Sequence, residues 1–286
     1  MPISSQAVGS ELPARTVPVT PQMTLAYAAG IGDESPPCVD DLWPDFIAHP
    51  AFCTRIEWLL VSQGRSGVLR LKPDEAIKAV HAGQDSRFLA PIRPGRDVRV
   101  SGRIAEVRST GAGAVVRTQI DIADSETNEP LTSTISAAVY RGVSVEGEDK
   151  SLISAPQEIT GETEPLLERV PIDLAPGFSQ IYSACADIWN PIHTERRAAL
   201  AAQLPGTIVH GTALWALAGR ELIRRYAPGQ PHRLRSLRGR FSAMVLAGDP
   251  IVVQHGAIDP LGVVRFSVLN ASGEKAVSRG MAEFEF

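Results

Sequence analysis

Apolar and β-branched residues alternate or run together over 99–107, 114–122 and 131–140, with polar, glycine-bearing breaks at 109–113 and 125–129. That pattern predicts three strands in a meander. It returns at 251–258, 263–269 and 276–284, broken at 259–262 and 270–273. Two helical candidates precede the second set. Residues 194–203 open on Thr194 as a cap and close at Pro205-Gly206. Residues 211–226 set Leu214, Trp215, Leu217, Ala218, Leu222 and Ile223 on a broad apolar face that ends at Ala227-Pro228-Gly229. Helix followed by antiparallel meander, written twice, predicts an α+β protein in which each sheet wraps one long apolar helix.

The duplication is also visible residue by residue. Arg87-Phe88, Ala90 and Gly95 fall on Arg240-Phe241, Ala243 and Gly248 at an offset of 153 (87 to 240), and Val98 and Val100 then lie opposite Ile251 and Val253. Upstream, Tyr27-Ala28-Ala29 pairs with Tyr182-Ser183-Ala184 at 155 (27 to 182), which lays Ser35-Pro36 on Asn190-Pro191. Downstream, Val115-Val116-Arg117 pairs with Val263-Val264-Arg265 at 148 (115 to 263). A drifting offset in constant order is what loop insertions produce. The stretch 143–169, rich in Glu, Ser, Thr and Pro, reads as a connector. The chain is therefore expected to divide into domains at 1–142 and 170–286, joined by a linker at 143–169.

Composition narrows the class. The 286 residues are 44% hydrophobic and 21% charged, which excludes disordered and fibrous architectures. A net charge of -4 with scattered basic residues argues against a nucleic-acid partner. Three cysteines match no disulfide framework or thiolate metal site and point to a reducing cytoplasm. No signal-like apolar core and no long apolar span occur, so no membrane partner is expected. His81, His232 and His255 have no metal-ligand spacing, and no phosphate loop, flavin or nicotinamide fingerprint is present.

The polar chemistry gathers in one segment, Tyr182 to Thr194, followed by Ile208-Val209-His210-Gly211. Asn190-Pro191-Ile192-His193 with Ile208-Val209-His210-Gly211 about 16 residues on resembles the signature of the MaoC-like dehydratases, the (R)-specific enoyl-CoA hydratases of hot-dog fold. The first half resembles the degenerate N-terminal hot-dog domain of two-domain members. The resemblance implies tandem hot-dog domains with the active site in the C-terminal one. It also implies a hydro-lyase in which a catalytic His and Asp activate one water for addition to an enoyl thioester, with an acyl-CoA as substrate, no cofactor, and a possible homodimer.

His193 matches the family histidine, and an imidazole suits taking a proton from water and returning it. The family pattern Asp-x-Asn-Pro-x-His would place a carboxylate at 188, where this chain has Ile188. Asp187 stands one residue early: either a bulge lets it reach the same water, or the carboxylate role is lost. Asp33, which the repeat lays on Ile188, has the expected spacing but no following His. Asn190 is a candidate donor to water or thioester and a turn former. Gly211 opens the apolar helix, where a free N–H and the absent side chain suit an oxyanion. His210 reads as structural or pocket-lining. In the first half Pro50 replaces that glycine and has no N–H to give, so one active site per chain is expected.

Cys185 reads as a small packing residue, and Trp189, Trp215 and Tyr182 as core or pocket walls. His81-Ala82-Gly83-Gln84-Asp85 resembles a first-domain segment of relatives and has no derived role. Two alternatives remain open: a hot-dog thioesterase, and a non-catalytic acyl-thioester binding module, the latter motivated by the missing carboxylate at 188.

Overall fold

The computed structural model describes residues 2–62, 64–76, 79–154 and 166–286. In the first half β1 (Glu11–Val19) is followed by helices α1 (Pro21–Gly30) and α2 (Cys53–Val61), then by β2 (Ala79–Phe88), β3 (Arg96–Thr110), β4 (Gly113–Asp124) and β5 (Pro130–Arg141). The second half runs β6 (Glu168–Ile172), α3 (Phe178–Ala186), α4 (Gly211–Tyr226), β7 (Leu234–Phe241), β8 (Ile251–His255), β9 (Val263–Leu269) and β10 (Lys275–Phe284). The predicted meander strands are all present, and several extend beyond the apolar runs that announced them. In β4 and β5 buried residues alternate with less buried ones, so one face of each packs on the helices. Helix α4 is buried on most sides, with Trp215 fully enclosed and 6.4 Å from the ring of Phe88.

The sheets expected of the two halves are joined edge to edge. Among the described residues an eleven-stranded sheet runs β1-β3-β4-β5-β2-β7-β10-β9-β8-β6, with the short strand Lys150–Ser151 off that path on β3. The two Arg-Phe segments, which the hydrophobic pattern left unassigned, lie on β2 and β7, and these strands pair antiparallel. Their central pair is Asp85 with Arg238, flanked by Gln84 with Gly239 and Ser86 with Leu237. Asp85 and Arg238 are themselves repeat equivalents at the offset of 153 (85 to 238), so a pseudo-twofold axis passes between them. The same axis passes between α1 and α3. The rings of Tyr27 and Tyr182, equivalents at 155, meet edge-on with centroids 6.1 Å apart. Gly30 and Cys185 (30 to 185) touch so closely that a Cβ on Gly30 would lie 2.5 Å from the Cβ of Cys185.

The helix expected over 194–203 is corrected. Thr194 does not cap a helix over 194–203: a single turn, Pro191–Thr194, ends there, and a separate short helix, Arg196–Ala201, starts after Glu195. Pro191 and the Asn190 cap make the first turn possible, and the extended Glu195 breaks it from the second. Parts of the 143–169 stretch pair with strands. Val145–Glu146 pairs with Ile3–Ser4, Lys150–Ser151 with β3, and β6 already begins at Glu168. Residues 155–165 of that connector lie outside the described residues. Among the described residues no helix is long and apolar enough to cross a membrane.

The Gly30 contact makes a direct prediction. Gly30→Ala forces two backbones apart at the axis and should cost about 1–3 kcal/mol of stability, as overpacking does. Urea unfolding of Gly30→Ala with and without Cys185→Gly measures it, and the second substitution should recover much of the loss. A Gly30→Ala chain as stable as the parent would show that α1 and α3 do not meet this way.

Candidate active site

Helix α3 ends at Asp187, whose φ of 52° is left-handed, and the chain doubles back so that Ile188 N donates to Ser183 O at 3.2 Å. Asn190 then caps the single turn Pro191–Thr194, its Oδ1 accepting from Ile192 N at 3.4 Å. The amide oxygen is thus committed to holding the turn that carries His193.

His193 Nδ1 lies 2.8 Å from the carbonyl oxygen of Ile208. A carbonyl only accepts, so the ring proton is on Nδ1 and Nε2 keeps a lone pair. The ring stacks on His210, with centroids 3.7 Å apart and planes 24° from parallel. His210 is the residue before α4; its Nε2 is 3.1 Å from Ser183 Oγ and 3.3 Å from the Ile188 carbonyl oxygen. Its Nδ1 makes no hydrogen bond among the described residues. Burial lowers the pKa of His193 to about 4, the Ile208 bond opposing it in part. Burial, and then the charge of a protonated His193, push His210 well below its ordinary value. Two neutral imidazoles therefore lie face to face beside the start of α4.

Gly211 opens α4, as expected, and its N–H has no carbonyl one turn back to bond. A Cβ there would come within 2.7 Å of the Phe241 ring. The glycine is thus required by the packing of Phe241 as well as suited to approach by a ligand.

Asp187 and His193 are not brought together. The Asp187 side chain is 49% exposed, lies 3.6 Å from Arg55 Nη2 and accepts from Trp189 Nε1 at 3.1 Å. Arg55, on α2 of the first half, also donates to the Cys185 carbonyl at 3.0 Å, satisfying the end of α3. Ile188, at the position where a carboxylate was expected, is buried among apolar groups.

The first half repeats this geometry with other residues. Asp33 N donates to Ala28 O at 2.9 Å, the counterpart of the Ile188 to Ser183 bond, and the single turn Pro36–Val39 is the counterpart of Pro191–Thr194. Asp33 therefore occupies the place of Ile188, Cys38 that of His193, and His49, before the helical turn Pro50–Phe52, that of His210. Asp33 accepts from the Ser35 N–H and hydroxyl at 3.0 and 3.1 Å. The Cys38 thiol is pushed up by burial and then by the charge of Asp33, which keeps it protonated. The placement of Cys38 was available from the same offset that placed Asp33. Arg55 had no such signal, because its partners lie 130 residues away and only the fold brings them together. Among the described residues no group of three or more His, Cys, Asp or Glu side chains is placed to hold a metal ion.

Residues 160–258 match the family model of the MaoC like domain, and residues 6–131 that of the FAS1-like dehydratase domain region. A probable enoyl-CoA hydratase 2 of Dictyostelium discoideum is 24% identical over 230 residues, which span 79% of this chain and 75% of that one. The 3-hydroxyacyl-thioester dehydratase Y of Mycobacterium tuberculosis is 24% identical over 201 residues, 69% of this chain and 68% of its own. A MaoC-like dehydratase structure from Phytophthora capsici superposes with a TM-score of 0.84 at 22% identity, covering 98% of this chain and 97% of that one. The architecture is the double hot-dog fold.

The histidine geometry is open to nitrogen-15 NMR. His193 should remain neutral, protonated on Nδ1, through neutral pH and titrate near 4 rather than 6.5. Because the unfolded chain takes up this proton first, the stability that the neutral ring contributes is present above about 6.5 and is lost as the pH falls through about 4. A His193 signal that titrates near 6.5 would show an imidazole open to water instead.

Proposed function

The chain carries a MaoC-like dehydratase domain in its second half and a FAS1-like dehydratase region in its first, and from that premise we propose that it reversibly hydrates 2-enoyl-CoA thioesters, with His193 as the base. The observation that carries this reading is the pairing of an unprotonated His193 Nε2 with the free N–H end of α4 at Gly211. Water gives a proton to Nε2 while its oxygen bonds to C3 of the double bond. The electron pair moves toward the thioester oxygen, where the Gly211 N–H stabilises it; such a donor is worth roughly 3 kcal/mol in measured cases. The proton then passes from His193 to C2, completing the addition. A low pKa makes His193 a willing donor in that last step. Dehydration runs the same steps backward.

Asp187 enters this scheme as the residue that ties the loop to Arg55 and Trp189, and a direct role on the water would require it to leave both. Asn190 supports His193 through its cap, and His210 sets the ring's position by stacking. The apolar Ile188 gives a second reading its force: a module that binds acyl thioesters without turning them over.

Loss of the conjugated thioester absorbance on mixing the protein with crotonyl-CoA and longer enoyl-CoAs tests the reading, and a thiol reagent in the same cuvette detects the free CoA that a thioesterase would release. His193→Ala should lower the rate by about 10²–10⁴-fold, the usual worth of a positioned acid-base group. Asp187→Asn is expected to change it by less than about tenfold; a loss of thousands with KM intact would place that carboxylate on the water. Tight thioester binding with no turnover would establish the second reading.

A further inference from the structure

The His81-Ala82-Gly83-Gln84-Asp85 segment lies on β2, at the joint between the halves, and leads a polar group into the first half. Gln84 is buried and its Nε2 donates to Glu57 Oε2 at 2.7 Å and Ser86 Oγ at 3.1 Å, while Thr134 Oγ1 donates to Glu57 Oε1 at 2.6 Å. His81 Nε2 is 3.2 Å from Ser136 Oγ. The His81 ring meets Phe241 edge-on with centroids 4.9 Å apart, and Phe241 is the ring that lies against Gly211. The group therefore begins one aromatic ring away from the proposed oxyanion site.

Beyond His81 stands Arg65, whose guanidinium is 5.9 Å from the centre of the Tyr140 ring. The residue is only 9% exposed, yet among the described residues its Nε and Nη1 make no hydrogen bond. Arginine is seldom enclosed without an anionic partner. Glu57, the nearby buried carboxyl, is already bonded by Gln84 and Thr134, and burial pushes its pKa up toward the neutral form. Burial, with the Arg65 charge second, lowers His81 to about 4, so the imidazole is a neutral hydrogen-bonding group.

The pseudo-twofold axis allows the two halves to be compared at this point. A cavity in the first half is lined by Ile47, His49, Phe88, Ile92 and, from the second half, Leu234. The equivalent positions in the second half are Ile208, His210, Phe241 and Val245, and the place of Leu234 is taken by His81 (81 to 234). Where the degenerate half has leucine, the second half thus has His81, whose ring meets the Phe241 ring that packs on Gly211.

We propose that the acyl chain accepted at this site ends in a carboxylate, which Arg65 receives together with His81 and Ser136. The substrate class is thus the 2-enoyl half-thioester of a dicarboxylic acid, an assignment that rests on the hydratase reading above. Charge-assisted bonds from a guanidinium to a carboxylate are strong where water is excluded, and a methyl-ended chain would leave the cation unmet.

The test compares kcat/KM for two CoA thioesters of matched length, one methyl-ended and one carboxylate-ended, in the parent and in Arg65→Gln, Arg65→Lys and His81→Leu. The parent should favour the carboxylate-ended thioester. Arg65→Gln should shift that ratio by about a hundredfold toward the methyl-ended one, chiefly through KM, with Arg65→Lys recovering part. His81→Leu, which copies the residue at 234, should shift it in the same direction and serves if the Arg65 variants unfold. A parent that favours the methyl-ended thioester, or a ratio that none of the folded variants moves, overturns the inference. If neither thioester is hydrated, the hydratase reading fails separately, and calorimetric binding of the same pair to parent and variants then decides the inference by the same ratio.

Discussion

The hydrogen bonds between β2 and β7 are the constraint on which the rest of the molecule hangs. Each strand would be the bare edge of its own half, with a row of unmet N–H and C=O groups, and each satisfies the other. Pairing Asp85 with its own equivalent Arg238 leaves one relative orientation of the halves, and the close contact of Gly30 with Cys185 follows from it. Two arginines then work across the axis. Arg55 of the first half donates to the end of α3, and Arg220 of the second donates to the Ile31 and Gly32 carbonyls at the end of α1. Cations at the carbonyl ends of helices are favourable on both sides, because the helix dipole and the unmet acceptors point that way.

The same symmetry sets the candidate positions of the two halves side by side. The first half holds a carboxylate at Asp33 and a thiol at Cys38; the second holds an isoleucine at 188 and an imidazole at His193. Neither half keeps both a carboxylate and a histidine at the paired places. Both halves carry a histidine farther on, His49 in the first and His210 in the second, and in the second half the rings of His193 and His210 stack. Burial dominates the titration of His193, with the Ile208 carbonyl opposing it.

Much of this was legible because it is local or repeated. The meander strands follow from period-two burial, α4 from its broad apolar face, and the placement of Asp33 on Ile188 from a constant offset. What was not legible depends on partners far away in the chain or on a single backbone angle. The left-handed turn at Asp187 sends its carboxylate to Arg55 and Trp189, and nothing in the string Ala186-Asp187-Ile188 announces that direction. Thr194 has the chemistry of a cap, but Asn190 and Pro191 claim the helix start four residues earlier. Nothing in the sequence singles out Arg65, whose burial with Nε and Nη1 unbonded is visible only in the fold.

Joining two sheets into one also moves the problem of bare edges outward, to β1 and β6. Both outer strands carry proline, at Pro13 and Pro18 on β1 and at Pro171 on β6. An imino nitrogen has no hydrogen to offer an incoming strand, and Arg15 and Arg169 add charge along the same margins. The ribbon that grew by fusing two copies is thereby blunted against further growth: its ends resist a third unit as firmly as its middle required a second.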